Sequence, residues 1–252
     1  MSMEKTDALI IRLADFSETS RVVTFFTRDF GRISALAKGG KRLKGPFEAG
    51  LDLLAQSRIV FLRKSTPGLD ILTEAQLSSR FKPSGRELVR FYGGYYIAEL
   101  LAGLTEEADP HPQLFQESIE ALKRLQEANP QVAIIRFELA ILREIGQLPA
   151  LDVCVNCGRM NSGPATDGEG RWLFSVMQGG LVCPTCAQEP IAGEPVSAGT
   201  VAVLRRLSDE SAAVVDRLAL SPRQLQEARQ IVTAAISHAL GHPPKMLRYI
   251  SS

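Results

Sequence analysis

Little in this chain stands out by excess, and its deficits exclude a good deal. Among 252 residues the charges nearly cancel, 29 Lys+Arg against 28 Asp+Glu, so the chain is neither a bulk polybasic coat nor an acidic disordered tail. No uncharged run is usable as a membrane span: the longest, 172–188, contains Gly179, Gly180, Pro184 and two cysteines. The opening Met1-Ser2-Met3-Glu4-Lys5-Thr6-Asp7 carries acids where a signal peptide needs a basic flank and an apolar run. A cytoplasmic protein with no membrane contact is expected, in a compartment where thiols stay reduced. There are only three histidines, His111, His238 and His242, and none stands beside a serine or cysteine in a way that suggests a triad. Nucleophilic catalysis therefore has no candidate residue, and an enzyme is not expected. Lys38-Gly39-Gly40-Lys41-Arg42 could suggest phosphate cradling. A Walker A loop, however, needs glycine where Ala35 stands and a hydroxyl where Arg42 stands.

What is present is an average globular composition, 45% hydrophobic and 23% charged, in a chain long enough to bury roughly 70–75% of its unfolded surface. The near-neutral total hides a polarised molecule. Residues 1–82 hold 14 Lys/Arg against 9 Asp/Glu, a net of +5, which leaves −4 for the remainder. The densest basic stretch, 28–44, contains Arg28, Arg32, Lys38, Lys41, Arg42 and Lys44 against Asp29 alone, and is broken by Gly31, Gly39 and Gly40. Such a stretch is either a solvated loop that aids solubility or the electrostatic footprint of a polyanion.

Hydrophobic periodicity divides the chain. Up to residue 75 the runs are short, alternating or β-branched: Leu9-Ile10-Ile11-Arg12-Leu13, Arg21-Val22-Val23-Thr24-Phe25-Phe26, Arg32-Ile33-Ser34-Ala35-Leu36, Ser57-Arg58-Ile59-Val60-Phe61-Leu62 and Asp70-Ile71-Leu72-Thr73. Five short strands suit a small closed barrel of the OB type, with an SH3-like barrel as the competitor. After Pro83 the period becomes helical. Ser84-Gly85-Arg86-Glu87 reads as a capping box for a helix to about Leu104, and a second helix follows Pro112 to about Glu127. Asn129-Pro130 starts a third that Gly146 stops, with apolar residues on several faces, as in the buried centre of a bundle. Residues 197–207 and 222–240 are helical again, the latter capped by Ser221 with Gln224 and closed by Gly241. The expected fold class is α+β: an OB-type barrel over 1–82, a helical domain over 83–150 and 191–252, and an inserted module over 151–190.

That module carries the one strong chemical motif. Cys154-Val155-Asn156-Cys157 and Cys183-Pro184-Thr185-Cys186 are two C-x-x-C pairs that use every cysteine in the chain. Two residues between thiolates let one tight turn aim both sulfurs at a single ion, and two such turns complete a tetrahedron. A four-cysteine zinc ribbon is expected, with one structural Zn2+ per chain whose closed shell leaves no position for a substrate. Disulfides, a redox pair or an iron–sulfur cluster would use the same residues but lack supporting features.

The order of modules, together with several stretches, resembles the RecO family of bacterial recombination mediators over essentially the full length. Phe16-Ser17-Glu18-Thr19-Ser20, Val22 to Arg28 and Gly31-Arg32-Ile33-Ser34 look like its first hairpin, and Ala37-Lys38-Gly39-Gly40-Lys41-Arg42 like its basic loop. Arg136-Phe137-Glu138-Leu139 resembles its central helix, Gly180-Leu181-Val182-Cys183 its second knuckle, and 245–250 its basic-aromatic C-terminus. The resemblance implies a nucleoid-associated DNA repair protein that binds single- and double-stranded DNA through the barrel and anneals complementary strands. It also implies partnership with RecR and with the C-terminal tail of single-stranded DNA-binding protein, so that RecA can be loaded. Arg28, Arg32, Lys38, Lys41, Arg42 and Lys44 are the expected phosphate contacts. Phe25, Phe26 and Phe30 are the aromatics nearest the loop, with alternation placing Phe25 and Phe26 on opposite faces. A ribosome- or RNA-associated OB protein and a purely structural interaction module are the other functional classes this pattern admits.

Overall fold

Period-two alternation at the N-terminus builds a barrel. The computed structural model describes residues 2–41, 47, 51–64, 68–83, 87–127, 129–161, 171–188, 192–208 and 220–250. Strands β1 (Ser2–Asp15), β2 (Arg21–Thr27), β3 (Gly31–Ala37), β4 (Gln56–Arg63) and β5 (Asp70–Ser79) close in the order β1-β2-β3-β5-β4. This is the five-stranded OB arrangement, not an SH3-like one. Closure depends on the length of β1, which pairs with β4 from Ser2 to Leu9 and with β2 from Ala8 to Asp15. The expected first strand was shorter because Ser2 to Asp7 is polar. Those residues are recruited by backbone pairing to β4, not by an apolar face. Ile10, Val23, Phe25, Ile33, Ile59 and Phe61 fill the interior. The parallel pairing of β3 with β5 completes the ring.

Helices cover part of the outside. α1 (Leu88–Leu104) and α2 (Pro112–Glu127) belong with the barrel in one compact unit, Met1–Pro130 with Lys245–Ser252. Phe26, outward on β2, is fully buried, its ring 6.3 Å from that of Phe115 on α2. Gly94 lets α1 approach closely, since a Cβ there would lie 2.6 Å from Phe81 Cε1 and 2.7 Å from Leu54 Cδ1. The expected capping box at Ser84 does not start α1. Ser84, Gly85 and Arg86 lie outside the described residues, the helix begins at Leu88, and Glu87 occupies the cap without a side-chain cap bond. Its carboxylate meets Arg90 at 2.7 Å instead. A short C-terminal helix, Leu247–Ile250, returns to this unit, where Glu99 accepts the backbone N–H groups of Lys245 at 2.7 Å and Met246 at 2.9 Å.

The second unit, Gln131–Pro244, joins helices to the cysteine ribbon. α3 (Pro130–Glu144) is buried continuously from Val132 to Leu142, as expected of a central helix. Its Glu138, fully buried, pairs with Arg229 at 3.2 Å on the helix Pro222–Leu240. That helix has the expected cap: Ser221 and Gln224 bond reciprocally and Gly241 takes φ 76° at its end. α4 (Ala198–Ser208) is fixed at its start by Glu227, which accepts from Ser197 Oγ and Thr200 Oγ1, both at 2.6 Å. Burial opposes ionisation of Glu227, but these hydroxyls and Arg223 outweigh it and bring the carboxyl down to about 2. Among the described residues no helix is long and apolar enough to cross a membrane.

The β2–β3 turn is pinned more tightly than a hairpin needs. Gly31 sits at φ 65°, and a Cβ there would lie 2.1 Å from the Asp109 carbonyl oxygen in the α1–α2 connection. Gly31→Ala should therefore lower unfolding free energy by about 2 kcal/mol or more, combining left-handed strain with the clash. Urea unfolding measures this, and a loss under about 0.5 kcal/mol would show that the connection yields freely.

Candidate nucleic-acid interface and metal centre

Alternation assigns the barrel's outer surface residue by residue. Arg12, Thr24 and Ser34 stand in register across β1, β2 and β3, and Ala14, Val22 and Leu36 form the next row, continued by Ile71 on β5. Thr24 and Ser34 hydroxyls are 3.2 Å apart. Arg12 is exposed and the apolar row is half-buried. Beyond that row the ladder gains one more pair, Phe16 N–H to Ser20 O at 3.1 Å, where the β1–β2 loop begins.

The six expected phosphate contacts do not form one patch. Arg28 and Arg32 lie at the β2–β3 turn, whereas Lys38 and Lys41 follow the far end of β3, about 20 Å away at the rise of a strand. Arg28 is exposed and paired with Asp29 at 3.1 Å and Asp7 at 3.6 Å. Arg58 shares Asp7 at 3.9 Å. Arg32 is half-buried, and its Nε is enclosed with no hydrogen-bond partner among the described residues. Lys38 is exposed. Lys41 donates to Asp15 Oδ2 at 3.0 Å and to the Ser17 carbonyl at 3.2 Å, and Arg21 reaches the same Asp15 at 3.2 Å. The hydrogen bond from Lys41 holds the Asp15 carboxyl below the usual carboxylate range. Arg42 and Lys44 lie outside the described residues. The pairs at Asp15 and Asp29 are open to solvent, where an ion pair contributes only about 0–1 kcal/mol and exchanges readily for another anion.

Phe25 and Phe26 lie on opposite faces as alternation requires, but both are covered. Phe25 is in the barrel core and Phe26 is under α2, so neither has a free face. Phe30 is half-buried, packed edge-on to Phe61 at 5.5 Å, with the Arg63 guanidinium 5.6 Å from its ring centre. The sequence reading passed over Phe16, which is 61% exposed, because it took the aromatics nearest in sequence to the basic stretch. It also passed over Arg12 and Arg21. The signal for Arg12 was a charged residue interrupting the apolar run of β1.

The cysteine motif folds as its spacing requires. β6 (Ala150–Cys154), β7 (Trp172–Ser175), β8 (Gly180–Val182) and β9 (Glu194–Val196) form a sheet in the order β6-β8-β7-β9. One knuckle turns after β6 with Gly158 at φ 73°, and the other follows β8. All four sulfurs lie within 4.8 Å of one another, with Cys157 and Cys183 Sγ 3.7 Å apart. A tetrahedral ion with bonds of about 2.3 Å would set neighbouring sulfurs ~3.8 Å apart, so the donor set fits a four-thiolate metal site. Burial works against ionising Cys154, but backbone N–H groups of Cys183, Cys157 and Asn156 draw its thiol down to about 6. Hydrogen bonding to Cys157 and Cys183 pushes Cys186 up to about 12. Four clustered thiolates would repel one another, and a divalent ion bound among them would offset that charge. Arg205 ties the ribbon to α4, donating to the Leu151 and Asn161 carbonyls and pairing with Asp152 at 2.8 Å.

Comparison with known proteins gives full-length matches. Residues 1–81 match the family model described as Recombination protein O N terminal, and residues 85–248 match Recombination protein O C terminal. The DNA repair protein RecO of Rhodopirellula baltica is 35% identical over 266 aligned residues, covering 96% of this chain and 97% of its own length. That of Anaeromyxobacter dehalogenans strain 2CP-1 is 32% identical over 251, covering 99% and 96%. That of Bacillus pumilus is 27% identical over 231, covering 90% and 86%.

Trp172, the single tryptophan, packs against the cysteine cluster. Purified protein should carry one thiol-bound metal per chain, and chelation should shift Trp172 fluorescence and loosen the ribbon. Cys183→Ser should abolish stoichiometric metal. Full metal content in that variant would remove the cluster as the binding site.

Proposed function

The chain belongs to the RecO family of DNA repair and recombination proteins, and from that premise we propose that it is a non-catalytic recombination mediator. It binds single- and double-stranded DNA through the barrel and anneals complementary strands. With RecR it helps load RecA onto strands coated by single-stranded DNA-binding protein, whose C-terminal tail it contacts. The observation that carries the DNA-binding part is the barrel itself. Away from Phe26, which α2 covers, its β1–β3 outer face presents Arg12 and half-buried apolar side chains, and Lys38 and Lys41 follow β3. Lys and Arg neutralise phosphates and apolar or aromatic faces take bases, both without regard to sequence.

In this reading the ribbon holds one Zn2+ through Cys154, Cys157, Cys183 and Cys186. The ion has a structural role, because four thiolates close its shell. The functional division is a barrel over 1–82 that meets DNA, a helical part over 83–150 and 191–252, and a ribbon over 151–190. Arg28, Arg32, Lys38, Lys41, Arg42 and Lys44 remain the proposed phosphate contacts. The separation of Arg28 and Arg32 from Lys38 and Lys41 favours a strand that runs along the hairpin over one held in a single loop.

If about six phosphates are neutralised, log K against log salt should fall with a slope of roughly −4 on single strands. Replacing Lys38, Arg42 and Lys44 together with alanine should flatten the slope by about 2 and weaken binding at low salt, with the melting temperature unchanged. An unaltered slope would take these side chains out of the interface. Pairing of complementary strands needs only that their mutual repulsion be lowered, so annealing by purified protein should proceed without ATP. A strict ATP requirement in a fluorescence annealing assay would contradict this.

A further inference from the structure

Phe16 is held out from the barrel by a loop that is anything but loose. Within residues 16–20, Phe16 and Ser17 N–H groups both donate to the Ser20 carbonyl, at 3.1 and 3.2 Å, and Ser20 N–H returns to Ser17 Oγ at 3.2 Å. Lys41 fastens the loop from outside. Its backbone N–H donates to the Thr19 carbonyl at 3.1 Å and its ammonium to the Ser17 carbonyl at 3.2 Å. A single exposed apolar side chain is ordinary on a protein surface. This one differs in what surrounds it. The ladder pair Phe16–Ser20 continues the face that carries Arg12 and then Ala14, Val22 and Leu36, so the ring caps one end of a continuous strip. Arg21 and Lys41 meet on Asp15, the residue before Phe16, and Lys38 leaves β3 at the same end. Arg12 stands on that face, whereas Arg21 and Lys41 pair with Asp15 on the alternate side of the ladder, so four cations, with Lys38, lie around this end against two exposed carboxylates, Asp15 and Glu18.

We propose that Phe16 is a stacking platform for an unpaired nucleobase, and that the strip from Phe16 through Ala14, Val22 and Leu36 to Arg12 is the track of a single strand. The proposal rests on the DNA-binding reading above and names its base-contacting residue. Stacking needs an aromatic ring that is solvent-facing, fixed in place and flanked by cations able to hold the phosphodiester on either side. Among the described barrel phenylalanines only Phe16 meets the first condition, since Phe25, Phe26 and Phe61 are fully buried, Phe47 is buried in the barrel core and Phe30 is packed on Phe61. The solvated ion pairs at Asp15 let Arg21 and Lys41 exchange a carboxylate for a phosphate at little cost. The half-buried aliphatic row suits sugar and base faces, and the Thr24 and Ser34 hydroxyls offer sequence-tolerant hydrogen bonds. Bases within a duplex are already stacked on each other, so the platform acts on single strands alone.

The test compares wild type, Phe16→Ala and Phe16→Trp on three ligands of equal length: a single-stranded oligonucleotide, an abasic phosphodiester strand and a duplex. Phe16→Ala should weaken binding to the single strand by about 5- to 150-fold. Its salt slope should not change, its binding to the abasic strand and the duplex should equal that of wild type, and Phe16→Trp should restore affinity. Unchanged binding of Phe16→Ala to a single strand that wild type binds overturns the platform and leaves the DNA-binding reading intact. An equal loss on the abasic strand also overturns it, since the loop and not the ring would then matter. Failure of wild type to bind any strand defeats the DNA-binding reading and the platform with it.

Discussion

Closure of the barrel by β1 is the constraint from which the rest follows. One strand must pair on both sides, with β4 along its first half and β2 along its second, and a register shift between Ile10 and Arg12 re-aims its side chains midway. Once the register is set, Ile10, Phe25 and Ile33 can only point inward, and Arg12, Thr24 and Ser34 only outward. A one-residue slip would exchange these sets and expose the core. The same register puts Phe26 under α2 and leaves the strip beyond it open. The proposed interface is thus a by-product of packing: the sheet buries one set of residues and has no choice about which set it shows.

The ribbon obeys a different constraint. Its sheet has strands of three to five residues, and its apolar cluster is small, built from Cys154, Val182 and Cys183 with Val155, Trp172, Cys186 and Ala187 around them. So little burial among the described residues would not hold a fold by itself, and a metal bound by the four thiolates would supply what hydrophobic packing lacks. Arg205 on α4 then anchors the ribbon within its helical unit, while the close approach of Gly180 to Ala150 joins β8 to β6 inside the ribbon's sheet. An ion held by all four thiolates would have no open coordination position, which fits the structural role proposed for it.

Much of this was legible in the sequence wherever a local signal was strong. The helix Pro222–Leu240 was readable to the residue because Ser221, Gln224 and Gly241 are cap chemistry. The four cysteines were readable because thiolate spacing admits few alternatives. The signal failed where partners are distant in sequence. Ser2 to Asp7 have no apolar pattern, and only β4 makes them a strand. The box read at Ser84 falls outside the described residues, and α1 begins at Leu88 with Glu87 as its cap. The basic stretch looked like one loop because sequence proximity was taken for spatial proximity. Seven of its residues are a strand, which carries Arg28 and Lys38 to opposite ends. Phe16 escaped for the same reason: it is far from Lys41 in sequence and tied to it only by the fold.

The claim at the centre of this account is that nucleic acid lies along the β1–β3 outer face and the cations that flank it. Lysine acetylation footprinting with and without a saturating single-stranded oligonucleotide tests it most directly. The account predicts that Lys38 and Lys41 lose reactivity on binding while exposed Lys123 on α2 keeps its own. Protection of Lys123, with Lys38 and Lys41 as reactive as in the free protein, would contradict it.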